Sequence, residues 1–180
     1  MKICIDPGHG GSALGAVGPG GTFEKDINLS VALYLSMGLR AFGHTVELTR
    51  SDDSTVSLQE RCAIANDFSA DLFLSIHCNA NEDRTVTGIE CYTTKGETES
   101  DRWAELIKAS LMEHFPGHKD FAGKGLSEEN FYVLKHTRMP AVLVELEFIS
   151  NPEMEQVLKE KDSVFASAII AAMPLNRGEE

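Results

Sequence analysis

Short apolar runs that alternate with longer segments of helical period place the strongest constraint on how this chain folds. The runs are Lys2–Asp6, Thr45–Thr49, Leu72–Ile76, Gly88–Thr93, Phe131–Leu134 and Ala141–Val144, each about the length of one strand. Between the first two, Ile27, Val31, Leu35 and Leu39 recur on one helix face, and Gly43 follows as a stop. Ser57 and Glu60 carry the capping-box signature ahead of Leu58, Cys62 and Ala65. Further helices are expected over residues 101–114, from Asn151-Pro152 to about Lys159, and onward through Ala172. The polar stretch Pro116–Asn130 reads as a surface loop. This alternation predicts an α/β fold, with one domain over residues 1–180. Its sheet is open, twisted and largely parallel, with about six strands and helices on both faces.

Charge narrows the partners. A net charge of -12 argues against nucleic acid or an anionic membrane surface as the natural partner, since both need a basic face. No apolar run approaches the roughly 20 residues of a membrane span, so no insertion is expected. Met1-Lys2 leads straight into a strand without an export signal, which predicts synthesis in the cytoplasm. Cys4, Cys62, Cys78 and Cys91 lack CxxC spacing and read as reduced small hydrophobes.

In an open α/β sheet, ligands bind beyond the carboxyl ends of the strands. His9 follows the first strand within Asp6-Pro7-Gly8-His9-Gly10-Gly11, His77 follows the third, and Glu145 ends the last. The glycines permit conformations and close approaches that side chains would block. Glu24 stands just before the first helix, where the long glycine-rich loop can return it to His9. Two imidazoles and a carboxylate make a three-ligand site of the kind catalytic zinc uses, and Glu145 is then a spare carboxylate. An acid inside Val142-Leu143-Val144-Glu145-Leu146 is costly unless it is paired, metal-bound or catalytic.

Two other chemistries compete for the same residues. Gly8-His9-Gly10-Gly11-Ser12-Ala13 matches the dinucleotide-binding pattern G-x-G-x-x-A. However, the helical pattern begins only near Ile27, and Glu47 lies within its strand instead of at its end. A cysteine nucleophile is the second. His77 and Cys78 are adjacent on an extended chain and point to opposite faces, so another cysteine, such as Cys91, would have to serve.

Taken together, several stretches resemble the zinc-dependent N-acetylmuramoyl-L-alanine amidases, the catalytic domains of bacterial autolysins and phage endolysins. They are Ile5–Gly11, Phe23–Leu29, Leu48–Arg50, Ser57–Arg61 through Ala65-Asn66, Ser75–Ala80 and Met139–Glu145, in unbroken order over nearly the whole chain. The resemblance implies zinc (Zn2+) held by His9, Glu24 and His77, with Glu145 as the catalytic carboxylate that takes a proton from water and passes it to the leaving amine. The bond implied joins the lactyl group of N-acetylmuramic acid to L-alanine of the peptidoglycan stem peptide, and no organic cofactor is implied. Arg61 and Asn79 fall in matching stretches, where supporting roles are expected.

The family often has glycine two residues after the catalytic Glu, whereas Glu147 stands there. On a continuous strand it shares a face with Glu145, and two near carboxylates raise one pKa. A wall-recognition module that has lost catalysis therefore remains a further reading. The expected place of action is the bacterial cell wall, reached as a phage lysin or as a secreted autolysin domain. The expected partner is peptidoglycan and the protein a monomer; the tail Pro174–Glu180 is short and polar, and the sequence leaves open whether a separate wall-binding domain has been removed.

Overall fold

A computed structural model describes residues 1–121 and 126–174. Residues 122–125, inside the expected surface loop, and nearly all of the expected polar tail lie outside the described residues. The order is β1 (Lys2–Pro7), α1 (Glu24–Ala41), β2 (Thr45–Leu48), α2 (Leu58–Phe68), β3 (Leu72–Asn79), β4 (Glu90–Thr93) and α3 (Glu99–His114). Then come β5 (Ser127–Glu128), α4 (Tyr132–His136), β6 (Ala141–Phe148), α5 (Pro152–Glu160) and α6 (Asp162–Ala171).

The sheet has six strands in the order β2-β1-β3-β6-β4-β5. Strands β2, β1, β3 and β6 are parallel, and β4 runs antiparallel to β6. The expected largely parallel α/β sheet is therefore present. The Ser57–Glu60 capping box opens α2, and Asn151 Oδ1 accepts from the Glu153 and Met154 amides to cap α5.

The strand predicted over Phe131–Leu134 is instead the start of α4. Aromatic and β-branched residues fit a pleated surface, but β6 already has β3 and β4 as neighbours and offers no free edge. Val133 and Leu134 are buried as a helical turn in the apolar cluster shared with α2. The sixth strand is the two-residue β5, within the segment read as loop.

Strand periodicity divides the sheet's contents. Ile3, Ile5, Leu72, Leu74, Ile76, Val142 and Val144 face the large core with α1, α3 and α6, and all are at most 0% exposed. Cys4, Phe73, Ala141 and Leu143 alternate with them and face a smaller cluster with α2 and α4. By the same alternation Asp6, Ser75, His77 and Glu145 belong to this second face.

Candidate metal centre

His77 lies inside β3, not beyond it, because the strand continues to Asn79, which pairs with Phe148. Glu145 is its direct cross-strand neighbour on β6. His9 sits two residues past β1 with φ of 62°, a left-handed conformation that disfavours residues with a Cβ. Glu24 opens α1 and is 4% exposed. Thus β1, β3 and the head of α1 bring His9, Glu24 and His77 together, with one donor atom from each within 4.8 Å of the others.

Glu24 lies between the two imidazoles. His77 Nδ1 is 2.9 Å from its Oε1, and His9 Nε2 is 3.3 Å from its Oε2. The Cys78 amide and Asn28 Nδ2 also donate to Oε1, and the Ala16 amide donates to Oε2. Burial works to raise the Glu24 carboxyl, yet hydrogen bonds and charge from the two histidines hold it well below the usual carboxylate range. Burial likewise works to lower the His77 imidazole, but the hydrogen bond to Glu24 and the nearby Glu145, Glu24 and Asp6 charges keep it above its ordinary value.

Two glycines make the assembly possible. A Cβ on Gly8 would collide with the His77 ring, and one on Gly15, which has φ of 71°, would meet the Glu24 carboxylate and His9.

Beside these residues opens a cleft of about 380 Å³, lined by His9, His77 and Glu145, with Leu58 of α2 and Phe131 and Tyr132 on the α4 side. Glu145 Oε2 is sealed from solvent and has no hydrogen-bond partner among the described residues. Burial pushes this carboxyl up to about 7, with His77 opposing the rise and the charges of Glu24 and Glu90 adding to it. Glu90, opposite Glu145 on β4, escaped the sequence reading. It accepts from Asn79 Nδ2 at 2.7 Å and from the Tyr92 hydroxyl at 3.0 Å, so it is the satisfied carboxylate of the pair. An acid amid Ile89 and Cys91 was the available signal, the same one that marked Glu145.

The expectation that Glu147 shares a face with Glu145 is overturned. Two residues of β3 (His77 and Asn79) pair with Glu145 and Phe148, leaving one extra residue on β6 and breaking the alternation. Glu147 instead accepts from the Gly88 and Phe148 amides and meets His118 Nδ1 at 2.8 Å. The cysteine route finds no support either: burial pushes the Cys91 thiol up to about 12. The dinucleotide route fails because the head of α1 carries Glu24 and Asp26 in its first turn, and Glu24 is committed to the histidines.

The family model for N-acetylmuramoyl-L-alanine amidase matches residues 3–174. The chain belongs to that family. It is 43% identical over 160 residues to the N-acetylmuramoyl-L-alanine amidase LytC of Bacillus subtilis strain 168, covering 88% of this chain but 31% of LytC. With the amidase CwlM of Bacillus licheniformis it shares 38% identity over 172 residues, covering 94% of this chain and 64% of CwlM. This family member therefore spans less than two thirds of either relative. Among solved structures, the catalytic domain of the amidase CwlV from Bacillus (Paenibacillus) polymyxa var. colistinus superposes with a TM-score of 0.88 at 32% identity, covering 96% of this chain and 95% of that one.

Proposed function

We propose that this chain is a zinc-dependent peptidoglycan amidase, cleaving the bond between the lactyl group of N-acetylmuramic acid and L-alanine, with residues 1–180 as its catalytic domain and the bacterial cell wall as its place of action. One observation carries the reading. Two imidazoles and a carboxylate converge at the wall of a cleft, beside a carboxylate whose buried oxygen has no partner among the described residues.

The donor set fits zinc, which takes nitrogen and oxygen ligands and in catalytic sites keeps a position free. His9, Glu24 and His77 would hold it. A bound zinc supplies a Lewis acid that polarises a carbonyl and makes water more acidic. Glu145 faces the same cleft, ready to accept a proton from water and deliver it to the departing alanine nitrogen. Leu143, Val133, Phe131 and Leu58 keep much of the cleft apolar, which suits a neutral substrate and excludes bulk water around the reacting amide. Family membership and the likeness to CwlV support the reaction assigned. The loss-of-catalysis reading loses its motive, since Glu147 is engaged by His118 and not set against Glu145.

Mass spectrometry of purified peptidoglycan digested with the protein tests the bond assignment. Released stem peptides with a free L-alanine amino terminus, made with zinc and abolished by a chelator, are expected. Cleavage between sugars or within the peptide would overturn it.

A further inference from the structure

Within the site just described, we infer that Arg50 is the positioning residue that closes the 8–25 loop and so presets the His9–Glu24 pair before any metal arrives. The inference rests on the metal reading of those residues and adds a role that the donors themselves do not reveal.

Loop 10–23 separates His9 from Glu24, and closing a flexible loop of that length opposes their meeting. Arg50 follows β2 and is 3% exposed. Its Nη2 donates at 2.9 Å to Gly8 O, the carbonyl just before His9, and at 2.9 Å to Lys25 O, the carbonyl just after Glu24. One nitrogen therefore ties both ends of the loop. Its Nε donates to Pro7 O at 3.0 Å and Nη1 to Asp52 O at 2.9 Å, so four of the guanidinium's five N–H groups end on backbone carbonyls.

The chemistry of this arrangement is specific. Arg50 forms no salt bridge among the described residues, unlike the other buried arginine, Arg61, whose Nη1 meets Asp6 at 2.6 Å. The Arg50 hydrogen bonds all end on carbonyls, and the charges of Asp6, Asp53 and Asp26 offset burial only from a distance, an expensive way to hold a loop unless its geometry matters. A planar fork reaches several fixed acceptors at once, which a single ammonium does not. The loop packs closely against it and its neighbours: Gly10 has φ of 130°, and a Cβ there would meet the Ser54 carbonyl first and then lie 2.9 Å from Arg50 Nε. Lys25 adds a second tie, from Nζ to Gly11 O and Asp53 Oδ2.

The test compares Arg50→Lys with Arg40→Lys, the same change at a guanidinium that donates to Val46 O at the far end of α1. Zinc affinity is measured by chelator competition, below the melting transition of each metal-free variant. Arg50→Lys should weaken zinc about 10–100-fold, whereas Arg40→Lys should leave it unchanged. Equal affinity in Arg50→Lys and wild type, or an equal loss in both variants, would overturn the inference.

If Arg50→Lys does not fold, hydrogen exchange of the zinc-free wild-type protein decides. The Ala13, Ala16, Glu24 and Lys25 amides, bonded within the loop or to Glu24 Oε2, should exchange slowly. Exchange at the rate of an open loop would overturn the clasp. A wild-type protein that binds no zinc would sink the metal reading instead, and the exchange pattern would still report whether the loop is closed without metal.

Discussion

The two faces of the sheet share the same strands yet do different work. On the α1, α3 and α6 side the inward residues are apolar from end to end, from Ile3 and Leu72 to Val144 and Leu146. On the α2 and α4 side the apolar cluster ends with Phe73 and Leu143, and the following positions are Asp6, Ser75, His77 and Glu145. The closed face uses burial to make the domain stable, at roughly 25 cal/mol per Å² of apolar surface removed from water. The open face spends part of that stability on buried charge. Asp6 shows how the charge is contained: it accepts from Arg61, the Thr49 hydroxyl and the Ser75 hydroxyl. Only Glu145 on this face keeps a buried oxygen without a partner among the described residues. The closed face should therefore tolerate no loss of volume, and the open face no change of chemistry.

Substitutions that separate stability from chemistry test this division. The largest effect is expected from His77→Ala, which removes a proposed ligand. Metal analysis should fall from about one zinc per chain to almost none, and wall lysis should vanish. Retention of a full equivalent would remove His77 from the site. Glu145→Gln should keep its zinc and melt no lower than wild type, while turbidity clearing of purified walls slows by about 10²–10⁴-fold. Undiminished clearing would reject its proton-carrying role.

On the other face, Leu74→Ala should lower stability by about 2–5 kcal/mol in denaturant titration, because it empties a fully buried position. Its zinc affinity should stay at the wild-type value, and a parallel loss of zinc would show that the faces are not independent. The smallest effect belongs to Asn151→Ala at the head of α5. Losing the two amide bonds to Oδ1 should cost about 1 kcal/mol, visible as a melting shift of roughly 2–4 °C with lysis unaffected.

Much of this division was legible in the order of residues. The period of Ile27, Val31, Leu35 and Leu39 is local and marked α1, although its start was placed three residues late because Glu24, Lys25 and Asp26 carry no apolar signal. His9, His77 and Glu145 were placed near strand ends, where open α/β sheets collect ligands. Phe131–Leu134 misled because its local preference for a strand was overruled by packing: Val133 and Leu134 fill the apolar cluster shared with α2 as a helical turn. Arg50 drew attention only as part of a family-like stretch, since nothing in Thr49-Arg50-Ser51 announces that its acceptors lie on two other segments.

What depends on neighbours along the chain was legible in the sequence: the caps of α2 and α5, which positions of β1, β3 and β6 are apolar, and that His9, His77 and Glu145 stand at or near strand ends. Only the folded chain decided that an extra residue in β6 turns Glu147 to His118, that Glu90 takes hydrogen bonds while Glu145 Oε2 has no partner among the described residues, and that one guanidinium ties Gly8 to Lys25. These are relations between atoms far apart in sequence. Their energies exist only once loop closure and packing have brought the partners within hydrogen-bond distance.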